Sequence, residues 1–294
     1  MSHSRPAMSA SEDSRLLAAA HSGNASLVRR LLSEGVANPC AASIKDRTPL
    51  MLALAANSWE CASLLLPFSS VEARDGEGDT ALMFACSMSS GSCVQLLLSE
   101  GKANPNVANA SGRTPLDICC VRSNIEGIRL LLAAGCDPRF GDSSGGHFPL
   151  IRLAQGFFLD GLRLLAPLCD PDFPNPLNGM TPLMHACSTP GAGAALACVG
   201  FLASISNILA KNKRGLTAFD LALVSRRYDC ANLLALLMPD AMVEASLASN
   251  GKDAALFVPQ WAARREARLL GEAARLPESS SPPDAPNRNP PPRL

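Results

Sequence analysis
The residues in this 294-residue chain best suited to chemistry are eleven cysteines and four histidines. Thiolate nucleophiles, zinc centres and disulfide frameworks all draw on these types, and their spacing separates the cases. No Cys-x-x-Cys occurs and the cysteine count is odd. Met1 to Asp13 is polar, without the apolar run of an export signal. Reduced thiols in a cytosolic setting follow. His3, His21, His147 and His185 are scattered, and no His-Glu-x-x-His helix brings two of them to one face. Gly76-Glu-Gly78 and Gly145-Gly146 follow no buried strand, and the Gly-Lys pairs at 101–102 and 251–252 lack the Ser or Thr of a phosphate loop. The sequence therefore predicts no catalytic residue, no cofactor, no metal and no small-molecule substrate.

The elements around these residues explain them better. Arg47-Thr-Pro-Leu-Met-Leu-Ala-Leu54, Arg113-Thr-Pro-Leu-Asp-Ile-Cys-Cys120 and Met180-Thr-Pro-Leu-Met-His-Ala-Cys187 are one phrase, with looser copies beginning at Asp79, His147 and Leu216. Its second position falls at Thr48, Thr80, Thr114, Phe148, Thr181 and Thr217, in steps of 32, 34, 34, 33 and 36 residues. A period near 33 marks a solenoid of stacked units. Cys86, Cys120 and Cys187 share one repeat position, and Cys61, Cys93 and Cys230 another. Cysteine recurring in phase acts as a small buried apolar residue.

The phrase resembles the helix-opening Thr-Pro-Leu-His of the ankyrin repeat. Physics supports each letter of it. Thr caps the first helix, Pro takes the first turn where a missing N–H costs nothing, and Leu points into the layer. A second helix ends on a Leu pair: Leu65-Leu66, Leu97-Leu98, Leu131-Leu132, Leu164-Leu165, Phe201-Leu202 and Leu236-Leu237. Gly35, Gly101 and Gly135 are read as left-handed C-caps. A Gly stands two residues before Thr at 78, 112, 146, 179 and 215; Asp46 breaks that series and predicts an altered turn. The family's His, which ties neighbouring repeats together, is replaced by Met51, Met83, Asp117, Ile151, Met184 and Asp220. That replacement implies fewer bonds between repeats.

The expected architecture is mostly α: an ankyrin-type solenoid of about seven helix-turn-helix repeats joined by short hairpin-like connections. Residues 1–12 form a flexible N-terminus, with Asp13-Ser14 capping the first helix. The array covers 13–240, with approximate repeats 13–42, 43–74, 75–108, 109–142, 143–175, 176–211 and 212–240. The long step after Thr181 is assigned to an insertion at 189–193, between helices. A helical C-terminal extension or cap runs over 241–276, and a Pro-rich disordered tail over 277–294. That tail holds seven of the 23 prolines.

Composition sets the partner class. Lys plus Arg and Asp plus Glu number 26 each, so no net basic charge recruits nucleic acid or an anionic membrane. The longest apolar run, 192–203, is too short for membrane insertion. In the ankyrin family, partners are gripped by the connection tips and the exposed end of the first helix, so the resemblance implies protein partners on a concave strip. Carried over by register, the strip takes Lys45, Arg47, Glu77, Asp79, Ser111, Arg113, His147, Met180, Lys213 and Arg214 from the tips. Ala56, Met88, Arg122 and Gln155 come from the helix ends. Met88 and Met180 are read as exposed. Trp261 is read as a cap sealing the last repeat, or else as an anchor for another protein. A non-enzymatic scaffold or adaptor follows; the alternative is a regulatory or targeting subunit docked through the Trp261 helix. The expected location is cytoplasmic, since no basic cluster favours nuclear import, with the nucleus left open.

Overall fold
Thr48 has extended backbone, φ −77° and ψ 160°, and its hydroxyl accepts from the amide of Met51 at 3.3 Å. This is the event that starts four of the described inner helices. It recurs at Thr114, Thr181 and Thr217, and Pro follows directly at Thr48, Thr114 and Thr181. At Thr114 and Thr217 the third helical residue is Asp, and its carboxylate returns a bond to the threonine amide, at 2.9 and 2.8 Å. Thr80 and Phe148 start their helices without a side-chain cap bond.

The computed structural model describes residues 10–88, 91–139, 148–190 and 194–273. Seven helix pairs follow one another: α1 (Ala10–His21) with α2 (Ala25–Glu34), α3 (Pro49–Ala55) with α4 (Trp59–Leu65), and α5 (Ala81–Ser87) with α6 (Gly91–Ser99). Next come α7 (Pro115–Val121) with α8 (Ile125–Ala133), and α9 (Pro149–Gln155) with α10 (Leu159–Leu165). The last two pairs are α11 (Pro182–Ser188) with α12 (Ala194–Ile205), and α13 (Ala218–Val224) with α14 (Tyr228–Ala235). Two longer helices, α15 (Asp240–Ala254) and α16 (Val258–Ala273), follow. First helices stack on first helices and second on second, in an inner and an outer row; this is the ankyrin-type helical solenoid. Leu50, Leu82, Leu116, Leu150, Leu183 and Phe219, the fourth position of each phrase, are all buried between the rows. So are the in-phase cysteines, whose burial pushes the thiols of Cys86, Cys120 and Cys187 far above their ordinary range.

Several local expectations change. Helix α1 already begins at Ala10, so Asp13 and Ser14 lie inside it rather than capping it. Asp13 instead accepts from the amide of Asn38 at 2.6 Å, tying α1 to the end of the first pair. The turn at Asp46 is not altered: Asp46 itself takes φ +57°, where Gly78, Gly112, Gly179 and Gly215 take +73° to +79°. Asp is among the few side chains that accept this region. After α6 the left-handed residue is Lys102 (φ +50°), not Gly101. The last Leu pair was placed out of register. Leu234 is the buried residue, while Leu236 and Leu237 are 66% and 52% exposed, because α14 ends at Ala235.

Nor are the hairpin tips loosely joined. Main-chain bonds run from Gly76 to Lys45, from Ala110 to Glu77 and from Lys213 to Asn178, at 3.0 to 3.2 Å. Side chains add Asn109 Nδ2 to Asp79 Oδ1 at 2.7 Å and Arg47 Nε to Asp75 Oδ2 at 3.1 Å. Among the described residues the tips form no strand, only an isolated bridge between Arg74 and Thr80.

Helix α15 continues the inner row beyond α13, with Val243 and Leu247 buried. It bends at Gly251 (φ 25°, ψ −92°). Phe257 then sits fully buried, edge-on to Phe219 with ring centroids 5.6 Å apart. Asn250 Nδ2 donates to Asp220 Oδ1 at 2.7 Å. The extension covers the end of the core that a seventh pair alone would leave wet.

Candidate partner-binding site
The inner helices α5, α7 and α9 are each seven residues long. A cavity of about 400 Å³ spans them. Asp79 and Arg113 come from the tips. Met83, Phe84, Ser87, Asp117, Ile118, Val121 and Arg152 come from the helices, and Arg122 ends α7.

The acidic members of this wall are already engaged. Asp79 accepts from Asn109, which favours its charged form, although burial outweighs that bond and raises its pKa. Asp117 is 1% exposed. Its Oδ2 accepts from the Thr114 amide and hydroxyl, both at 2.9 Å, while its buried Oδ1 has no hydrogen-bond partner. Burial pushes Asp117 up to about 6, against its bonds to Thr114 and the fields of Arg152 and Arg113.

A polar chain runs from this cavity along the inner row. Arg152 Nη1 donates to Gln155 Oε1 at 3.3 Å, and Gln155 Nε2 lies 3.2 Å from His185 Nδ1. With its oxygen facing Arg152, Gln155 must donate to His185, so Nδ1 is the unprotonated nitrogen and Nε2 carries the hydrogen. That Nε2 is buried without a partner. Burial, and then Arg152, hold His185 down at about 4, so it is neutral near pH 7.

Of the residues assigned to the strip, the cavity brings together Asp79, Arg113 and Arg122. Lys45, Glu77, Ser111, Lys213 and Arg214 are exposed at the tips, and Ala56 is exposed at the end of α3. Arg47 is committed to Asp75 and lies over the Phe84 ring at 5.0 Å. Gln155 is half-buried in the polar chain. Met88 and Met180 are half-buried rather than exposed, and Met180 packs against the core. His147 lies outside the described residues. Trp261 is apart from the strip. It lines a small pocket with Asn232, Ala235 and Leu236 of the outer row, under Arg265 at 5.2 Å from the ring.

Arg152, Phe84, Asp117 and Val121 were missed. Arg152 did leave a signal: it occupies the phrase position held by apolar Leu52, Phe84, Ile118 and Leu221 in four copies and by His185 in another. Gly141-Asp-Ser-Ser-Gly145 has Gly-x-Ser-x-Gly spacing, but the chain places it between α8 and α9, outside the described residues and with no strand described before it. Among the described residues no three metal-donor side chains cluster, and no helix is long and apolar enough to cross a membrane.

The comparisons agree with this geometry. The chain matches the profile of ankyrin repeats (three copies) over residues 68–142 and 150–245. It is 35% identical over 114 residues to human ankyrin repeat and SOCS box protein 16, covering 38% of this chain and 25% of that protein. It is 33% identical over 123 residues to the mouse B-cell lymphoma 3 protein homolog, covering 40% of this chain and 28% of that protein. The Arabidopsis thaliana E3 ubiquitin-protein ligase KEG is 30% identical over 133 residues, 44% of this chain but 8% of the ligase. The chain thus spans about a quarter of the length of the first two relatives, and far less of the third. Since the matched segments take in more than half of its residues, and its helix pairs stack as that profile requires, this chain belongs to the ankyrin-repeat family.

Proposed function
We propose that the chain is a non-enzymatic scaffold or adaptor that binds a protein partner on the concave face of its inner-helix row. Ankyrin repeats mediate protein–protein interaction. The observation that carries the reading to this chain is the cavity spanning α5, α7 and α9, where cations stand beside half-buried Phe84 and Ile118 and the 60% exposed Val121. Apolar surface mixed with arginine is the composition of protein interfaces. The enzyme-named relative KEG aligns over a small share of its length, and its activity does not transfer through the repeats. Eleven cysteines, none in a disulfide, support a cytoplasmic setting.

A second reading, a regulatory or targeting subunit docked through the Trp261 helix, draws on Leu236, Leu237, Leu256 and Val258, all exposed near that end. Affinity capture with Ala56→Trp and Val121→Arg separates the two. Both substitutions obstruct the inner-row face and leave α16 untouched. Loss of the captured partner at unchanged melting temperature supports the concave face. Retention there, with loss on Leu236→Glu/Leu256→Glu, supports the docking helix and removes the first reading.

A further inference from the structure
We infer that the cavity spanning α5, α7 and α9 receives a carboxylate side chain, Asp or Glu, from an acidic and apolar stretch of the partner protein. The inference rests on the reading of this face as the binding surface and names the chemistry it selects.

Charge complementarity carries it. Arg113, Arg122 and Arg152 line the cavity. The molecule's other well-placed arginines are spoken for: Arg47 by Asp75, Arg227 by Asp229, and Arg265 and Arg268 by Asp240. Arg113 and Arg122 are exposed, and among the described residues neither guanidinium has a hydrogen bond or ion pair. Two planar forks with no hydrogen-bond partner on one cavity are suited to bidentate capture of a carboxylate. Asp79 and Asp117, the carboxylates in the same wall, leave it only about one positive charge, which favours a monoanion over a phosphate dianion. Val121 then offers the flanking contact for a Leu, Ile or Phe of the same stretch.

The test is selection of phage-displayed random dodecapeptides on the full-length protein. Enriched sequences are then synthesised as carboxylate, amide (Asn/Gln) and phosphoserine forms and titrated by fluorescence anisotropy. Wild type, Arg113→Gln/Arg122→Gln and Ala56→Trp are compared at matched melting temperature. The expected result is enrichment of acidic peptides that bind about tenfold more weakly as amides. That difference should vanish in the double Gln variant, as a coupled pair requires. Binding lost in Ala56→Trp but indifferent to the amide and Gln changes overturns carboxylate selection while leaving the concave face standing. Binding indifferent to all three overturns both. A tenfold preference for phosphoserine, or no enrichment, overturns the inference.

Discussion

The side-chain amide of Asn124 donates to the main-chain oxygen of Met88 at 2.8 Å, joining the start of α8 to the end of α5 across a repeat boundary. The bond answers a defect. After α3, α7, α9 and α13 the chain turns through a left-handed residue, Asn57, Ser123, Phe157 and Arg226, with φ of +54° or +55°. Helices α5 and α11 end instead in extended backbone at Met88 and Thr189. In both places the outer helix of the following repeat sends its cap residue to the stray carbonyl: Asn124 to Met88, and Arg227 Nη1 to Thr189 at 2.5 Å.

Asn124 also caps α8, accepting from Gly127 at 2.9 Å. Asn124→Ala should therefore lose both roles and about 2 kcal/mol of stability, read as a lowered urea midpoint. Asn124→Asp keeps the cap, loses the donor and turns an oxygen toward the Met88 carbonyl. It should be no more stable than the alanine variant; wild-type stability in the aspartate variant would show that the bond to Met88 contributes nothing.

Arg227 is nearly buried, stands 5.7 Å from the Phe157 ring centre, and bonds Thr189 and Cys230. Lysine keeps the charge but cannot hold this fork. Arg227→Lys should cost on the order of 1–2 kcal/mol, measured by urea unfolding, whereas the exposed Arg214→Lys should be neutral within error.

Gly78 and Gly215 share a turn position and positive φ but not surroundings. A Cβ on Gly78 would meet the Ala110 main-chain nitrogen at 2.7 Å, while one on Gly215 meets nothing within 4 Å. Gly215→Ala should cost about 1 kcal/mol, the strain of a left-handed alanine. Gly78→Ala should cost at least twice that, because the hairpin tips must part. Equal costs by thermal melting would refute the tip-to-tip packing.

Neutral His185 makes the array acid-sensitive. Its folded pKa, about 4, lies below the ordinary value of 6.5. The unfolded chain binds the extra proton between those values, and stability is lost as pH falls through that window. Asp117, raised to about 6 from 3.8, works the other way: the folded state takes up its proton first and gains stability as pH falls from about 6 toward 4. His185→Leu should therefore lose less stability than wild type between pH 7 and 4.5, by on the order of 1–2 kcal/mol. Parallel urea-derived stabilities across that range would refute it.

Phe257 seals the end of the core. Phe257→Ala should cost about 3 kcal/mol, and removal of residues 241–294 should cost more, since Phe219 and Asp220 lose their neighbours on α15 and beyond. A truncated chain that melts with the intact protein would mean that the extension is no cap.

Much of the fold was legible in the chain. Thr-Pro-Leu at 48, 114 and 181, with looser copies that bring the period near 33, names a helix start, a first turn and a buried contact, all decided by residues adjacent in sequence. Errors fell where the backbone had a choice. Lys102 rather than Gly101 took the left-handed position after α6. Leu236 and Leu237 looked like a core pair until α14 ended before them.

The site was legible only in part, for a related reason. Tips and helix ends follow from register, so Arg113 and Arg122 were found. Arg152 and Phe84 belong to neighbouring repeats and meet the same cavity only because stacking brings α5, α7 and α9 together. Local spacing determined the period and the helix pairs, since caps and turns are decided within one repeat. The burial of the in-phase cysteines is completed by the neighbouring repeat, as where Cys119 Sγ meets the Cys86 carbonyl. Only the tertiary structure decided that Asp75 occupies Arg47 while Arg113 and Arg122 stay unmatched, because that outcome depends on how successive repeats are set against one another.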